Sequence, residues 1–178
     1  LKNVRLMFCG GDDISDGFID EYNSYFEKWG ATGRLRQGYG LTEIGSVCCT
    51  NTNDDFKRGS IGKALRGVRV EIWDDDHKKV PNGTVGEFAI SGPTIMKGYY
   101  MEGEADDYGL YTDENGVKWV LSGDLGYRDE DGFFYFYGRK KRIIIISGYN
   151  VYPVDIENLM DTLPFIKESC AVRGTTPD

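Results

Sequence analysis

The chain has 178 residues, 40% of them hydrophobic and 13% aromatic, enough for one ordinary domain or one and a fraction with a core of its own. Its net charge of −8 (21 basic against 29 acidic residues) argues against general nucleic-acid binding, which needs a basic face. The longest apolar run, residues 143–146, falls far short of the roughly 20 residues of a membrane-spanning helix, and no basic-then-apolar leader precedes the strand-like residues 4–8, so neither a transmembrane segment nor secretion is expected.

Residues 4–9 predict a strand that ends at Gly10-Gly11. Ile14, Phe18, Tyr22, Phe26 and Trp29 then recur every three or four positions, which predicts one face of an amphipathic helix capped near Asp13 or Ser15. A second strand is expected over residues 34–39, so residues 1–43 read as a β-α-β unit at the end of an α/β sheet. From residue 44 to 138 the pattern becomes one of short strands: residues 68–73, 85–90, 117–121 and 133–136, separated by Gly and Asp clusters. That spacing predicts an antiparallel, distorted barrel-like β subdomain. Asn82-Gly83 is a hairpin turn signal, and the acidic runs at 74–76 and 129–131 are expected to do turn chemistry. Residues 101–107 are expected to form an exposed loop.

Beyond Gly138 comes the basic run Arg139-Lys140-Lys141-Arg142. Residues 143–147 and 150–152 flank Gly148 and predict two short strands and a turn. Pro153 fits the first turn of a helix, whose apolar stripe is Ile156, Leu159, Met160 and Leu163; another strand is expected over 166–172. The fold class is therefore α/β to α+β: an α/β layer and β-rich subdomain over 1–138, a joint over 139–142, and the start of a small α+β unit over 143–178.

Four cysteines stand at Cys9, Cys48, Cys49 and Cys170, without a Cys-x-x-Cys pair and with a single histidine, His77. Zinc ligation is not expected; reduced thiols in a cytoplasmic protein are. Adjacent Cys48 and Cys49 on a strand should point to opposite faces, one inward and one outward.

Three motifs carry chemistry. Gly38-Tyr39-Gly40-Leu41-Thr42-Glu43 offers a ring that can stack on a base, a glycine that lets backbone approach a ligand, a hydroxyl for a phosphate oxygen and a carboxylate for Mg²⁺. Ser122-Gly123-Asp124, expected at the end of a strand, offers an acidic group able to accept both ribose hydroxyls. Gly138-Arg139-Lys140-Lys141-Arg142 adds cations fifteen residues later. Gly62-Lys63-Ala64 lacks the spacing and hydroxyl of a Walker loop.

Together, in this order, the motifs resemble the adenylate-forming enzymes: acyl-CoA synthetases, luciferases and the adenylation domains of peptide synthetases. Ser122 stands where that family usually has Thr, so the hydroxyl is retained. The resemblance implies a nucleotide site of Gly10, Gly11, Tyr39, Gly40, Thr42, Asp124 and Arg139, with Thr42 on the α-phosphate, Glu43 on Mg²⁺, and Asp124 and Arg139 on the ribose. It further implies that Lys141 is the hinge of a rotating lid, residues 143 onward, and that Gly148 lines the CoA tunnel. The implied reaction joins a carboxylic acid to ATP, giving acyl-AMP and pyrophosphate, and then to the thiol of CoA or of a carrier protein's pantetheine. Ser147-Gly148-Tyr149-Asn150-Val151-Tyr152-Pro153 is similar to the acyl-CoA ligase version of the lid entrance. A peptide-synthetase adenylation domain and a non-catalytic module keeping the same framework are the alternatives. The resemblance covers a middle slice of the family's length; the family's phosphate loop and lid lysine do not occur in these 178 residues, so no catalytic lysine is assigned and the segment alone is expected to be inactive.

Overall fold

A computed structural model describes residues 1–11, 14–100 and 109–174. Strand β1 (Leu6–Cys9) runs parallel to β2 (Arg34–Leu41), with Leu6 opposite Arg34 and Cys9 opposite Gln37. Parallel neighbours need a crossover, and helix α1 (Asp16–Lys28) provides it. Ser15 caps the helix: its Oγ accepts the Phe18 N–H at 3.3 Å, satisfying one of the first-turn amides that have no partner in the helix. The other expected cap, Asp13, lies outside the described residues, as does the expected loop at 101–107.

The apolar stripe of α1 is only partly a core face. Phe26 is buried against Ala31 and Leu35, but Phe18, Tyr22 and Trp29 are exposed, Trp29 by 64%. The helix packs chiefly on β2; Phe18 and Tyr22 stack on each other, ring centroids 4.4 Å apart.

Strand β3 (Ser46–Thr50) extends the first sheet antiparallel to β2, and β4 (Lys63–Ala64) follows antiparallel to β3. Tyr39 lies opposite Cys49 and Gly40 opposite Val47, so Cys48 is the extra residue of a β-bulge. The bulge corrects the alternation expected for the two cysteines: it turns Cys48 inward beside Cys49, and both are fully buried. All four cysteines are free thiols. The hydrogen bond with Cys48, together with burial, pushes the Cys49 thiol well above its ordinary value.

The second sheet is antiparallel, in the order β5 (Arg69–Trp73), β6 (Gly86–Ser91), β8 (Lys118–Arg128), β7 (Leu110–Thr112), with β9 (Phe134–Arg139) also on β8. Strand β8 is longer than the expected 117–121 and runs straight through Ser122-Gly123-Asp124. Its one edge meets β6; the other is shared, residues 118–120 pairing with β7 and residues 124–128 with β9. The two sheets do not close into a barrel among the described residues. They are stitched at one edge, where Phe134 donates to Gly62 O and accepts from Ile61 N–H, each at 2.9 Å.

Phe88 and Ile90 of β6, Val120 of β8 and the two cysteines of β3 form the centre of the core, all essentially inaccessible. Burying a phenylalanine fully is worth about 1.5–3 kcal/mol. Gly126 of β8 lies directly over Phe88: a Cβ there would stand 2.4 Å from the Phe88 ring and 2.3 Å from Tyr135 O. Gly126→Ala is therefore expected to overpack the core, destabilising the chain by about 1–3 kcal/mol; a denaturant midpoint unchanged from wild type would contradict that packing.

The acidic runs do the expected turn work. Asp74 Oδ1 accepts the amides of Asp76 and Lys78, and Asp129 Oδ1 accepts that of Phe133 at 2.8 Å. After β9 the chain forms a 3-10 turn (Lys140–Arg142), the hairpin β10 (Ile144–Ile146) and β11 (Tyr149–Val151), and helix α2 (Pro153–Asp161) with proline in its first turn. Ser147 and Gly148, at φ +50° and +84°, make the two-residue hairpin turn. The stripe Ile156, Leu159, Met160 and Leu163 is exposed rather than packed. Residues 166–172 are not a strand: the Ala171 amide is taken by the Glu157 carboxylate at 2.9 Å instead of by a neighbouring backbone.

Candidate functional site

Asp124 is the centre of the site. Between Leu121, opposite Ala89, and Leu125, opposite Glu87, residues 122–124 of β8 bulge against the single residue Phe88 of β6. Gly123 makes the bend possible at φ +72°, a left-handed conformation that favours glycine. Ser122 Oγ accepts the Asp124 N–H at 3.0 Å, so the hydroxyl stabilises the bulge. The expectation that Ser122-Gly123-Asp124 ends a strand is thus corrected: the bend lies inside a strand, with the serine and glycine closing the broken ladder.

The bulge delivers the Asp124 carboxylate, 7% exposed, between two of the expected partners. Tyr39 Oη donates to its Oδ2 at 2.8 Å, and Arg139 Nε stands 3.3 Å from Oδ1. Asp124 and Arg139 are direct cross-strand neighbours, which explains why a fifteen-residue separation brings them together. Burial pushes the Asp124 carboxyl above its ordinary value despite the tyrosine hydrogen bond and the arginine, with Glu87 and Glu43 adding like charge. The Tyr39 hydroxyl is pushed up as well, by burial first and then by the Asp124 charge. Its ring rests on Phe88, centroids 5.1 Å apart, so the core orients it.

Two residues that the motif reading did not assign to the site complete it. Glu87 of β6, almost buried, accepts the Gly123 N–H with Oε1 and the Lys140 ammonium with Oε2, both at 2.8 Å. The available signal was an acidic residue inside the otherwise apolar run 85–90, a position that requires a partner. Tyr99 is the second: its hydroxyl donates to Glu43 Oε1.

The remaining candidates line an open cleft of about 670 Å³ at the ends of β1 and β2, which includes Gly10, Gly11, Tyr39, Gly40 and Thr42. Gly40 is required by the chain itself: a Cβ there would lie 2.0 Å from Ser46 O, where β2 and β3 meet. Thr42 and Glu43 sit on a 3-10 turn (Thr42–Ile44) at the cleft's rim, Thr42 exposed and Glu43 half-buried. Lys141 and Gly148 belong to neither group: the first is exposed in the turn after β9, the second is at the hairpin tip. On either side of Lys141 the chain is anchored, Lys140 to Glu87 and Asp75 and Arg142 to Glu157 of α2.

The carboxylate, ring and guanidinium around Asp124, beside a glycine-lined cleft with a hydroxyl and a second carboxylate at its rim, suit a ligand that combines sugar hydroxyls, an aromatic base and phosphate. Several known proteins are similar to this chain. A long-chain-fatty-acid–CoA ligase of Escherichia coli O6:H1 is 39% identical over 149 residues, which is 82% of this chain and 26% of the relative. Among solved structures, ATP-bound MatB from Rhodopseudomonas palustris matches at TM-score 0.78 and 29% identity, covering 94% of this chain and 32% of that one. O-succinylbenzoate Coenzyme A synthetase (MenE) from Bacillus subtilis, in complex with AMP, matches at TM-score 0.75 and 29% identity, over 97% and 34%. The chain thus spans about a third or less of the lengths of these proteins. The family described as AMP-binding enzyme matches residues 1–100, and with that match over more than half its length the chain belongs to the AMP-binding enzyme family.

Proposed function

We propose that this chain is the nucleotide-holding part of an ATP-dependent acyl-CoA synthetase. The observation that carries the reading is the Tyr39–Asp124–Arg139 cluster beside the cleft: it joins residues 85 and 100 positions apart around one buried carboxylate, with the arginine side chain open to solvent. A framework kept only for structure has no use for a desolvated carboxylate whose ionised form burial disfavours. Names of the relatives, CoA ligases in each case, support CoA over a carrier protein as the thiol source.

In the proposed reaction a carboxylate oxygen of the acid attacks the α-phosphorus of ATP, the bond to the β-phosphate breaks, and pyrophosphate leaves. The CoA thiol then attacks the acyl carbon, loses its proton, and AMP departs. Asp124 accepts the ribose hydroxyls and Arg139 adds a donor beside it. Tyr39 supplies the flat apolar face for adenine, while Gly10 and Gly11 let the cleft wall approach the base. Thr42 donates to an α-phosphate oxygen. Positioning of this kind is the larger part of catalysis when reacting groups must be aligned in line.

Glu43 fits the role of magnesium ligand. It is a single hard-oxygen donor at the rim, and Mg²⁺ is held by one or two carboxylates with phosphates and water making up the rest. The ion would neutralise phosphate charge there.

The division of the chain follows the same reading. Residues 1–138 belong to the large domain, 139–142 are the joint with Lys141 as hinge, and 143 onward open the lid, where Gly148 lets pantetheine pass. We place the enzyme in the cytoplasm, in keeping with four free thiols; among the described residues no helix is long and apolar enough to cross a membrane.

The test is ATP–pyrophosphate exchange with the complete gene product over a panel of carboxylic acids, followed by thioester formation with CoA. Acid-dependent exchange is the expected result, and the 178-residue segment assayed alone is expected to give none. Failure of the complete protein to exchange with any acid would overturn the reading.

A further inference from the structure

We infer that Glu87 is a positioning residue that sets the spacing between Asp124 and Arg139 by holding the backbone beside one and the side chain beside the other; the inference rests on the nucleotide-site reading above.

Consider what the bulge does to the ladder. With residues 122–124 opposite Phe88 alone, the Gly123 N–H faces β6 without a carbonyl across from it. A partly buried amide in that position gains from an acceptor. Glu87 Oε1 is that acceptor, at 2.8 Å. The other oxygen of the same carboxylate takes the Lys140 ammonium, also at 2.8 Å. Gly123 directly precedes Asp124 and Lys140 directly follows Arg139. One side chain on β6, the in-sheet neighbour of β8, therefore clamps the residue next to each member of the pair.

Burial decides which of the two carboxylates on Lys140 matters. Asp75 also stands 2.8 Å from the ammonium, but its side chain is 90% exposed, against 11% for Glu87. A contact with an exposed carboxylate is screened and weak, whereas a charge-assisted bond to a nearly buried one is strong. The charge balance points the same way. Glu87 adds like charge to Asp124, and the Lys140 ammonium compensates it. Without that lysine the Glu87 charge near Asp124 would be uncompensated, and the bulge carrying Asp124 would move away from Arg139.

The separable variants are Glu87→Gln, which keeps an acceptor for Gly123 but cannot hold an ammonium, and Lys140→Met, which leaves the Glu87–Gly123 bond intact. In the complete gene product each is expected to raise the AMP Kd, measured by calorimetry, and the ATP KM of pyrophosphate exchange about tenfold, as loss of one charge-assisted hydrogen bond implies. The kcat of exchange should stay within about twofold, because the reacting atoms are untouched. The double variant should be no worse than either single one, since both remove the same link. Additive losses in the double variant, an unchanged AMP Kd, or a fall in kcat matching a fall in Tm would each overturn the positioning role. Wild-type protein that fails to bind AMP would instead overturn the nucleotide-site reading and this inference with it.

Discussion

Replacing Asp124 by alanine is expected to raise the AMP Kd and the ATP KM of the complete gene product by about one to two orders of magnitude. Hydrogen bonds from ribose hydroxyls to a charged acceptor are worth about 1.5–3 kcal/mol each, and tenfold corresponds to about 1.4 kcal/mol. The alanine also strips the Tyr39 hydroxyl and Arg139 of a partner, so some loss of stability should accompany it. Asparagine separates the two effects. It retains an acceptor for Tyr39 and removes the charge whose burial the fold opposes.

The pH dependence follows from the sign of the Asp124 shift. Burial raises the carboxyl in the folded chain above its ordinary value of 3.8. The folded state therefore binds this proton more tightly than the unfolded one. The associated stability is fully present below pH 3.8 and is lost as pH rises through the raised value. At neutral pH the ionised group is a burden on the fold. Asp124→Asn should accordingly raise Tm at pH 7 while weakening AMP binding. On acidification, wild-type AMP affinity should begin to fall at a pH above the range of an ordinary aspartate, and the asparagine variant should lack that step. An ATP KM left unchanged by Asp124→Ala would remove the ribose assignment.

Lys141→Pro is expected to separate the two half-reactions. The residue before it is tied to the second sheet through Glu87 and Asp75, and the residue after it to α2 through Glu157. Rotation of one unit against the other then has to be absorbed between those anchors, where a few backbone torsions carry the change. Proline fixes φ near −65°, and a geometry it does not fit costs ~3 kcal/mol or more, about a hundredfold in population. Pyrophosphate exchange should survive and thioester formation should fall by a factor of that order. Equal loss in both assays would exclude the hinge role; so would no loss in either.

What could be read from the amino acids alone was whatever depends on local chemistry or on short, ordered motifs. Tyr39, Asp124 and Arg139 stood out because each sits in its own motif; cross-strand register pairs Asp124 with Arg139, and the Tyr39 hydroxyl reaches Asp124 from the first sheet. The β-α-β unit, its Ser15 cap and Pro153 in the first turn of α2 followed from periodicity and capping. Glu87 was not legible as a site residue, because its partners are a backbone amide exposed by a bulge and a lysine 53 positions away. Cys48 was misread for a related reason: strict alternation holds only while a ladder is regular, and the bulge is visible only in pairing with β2. The stripe of α1 and the residues at 166–172 show the converse limit. Apolar spacing states what a segment is able to bury or pair with, whereas what it does bury depends on the neighbour present, and here the Ala171 amide is bonded by a side chain.

The shared edge of β8 lets two different strands set the surroundings of its two halves. One side of the bulge carries Trp119, packed with Trp73 and Tyr111; the other carries Asp124 and the strand that brings Arg139. Because β7 pairs with residues 118–120 and β9 with residues 124–128, the ladder that places Arg139 opposite Asp124 does not run through β7. The bulge thus separates the aromatic packing of one half of the strand from the charged pair of the other.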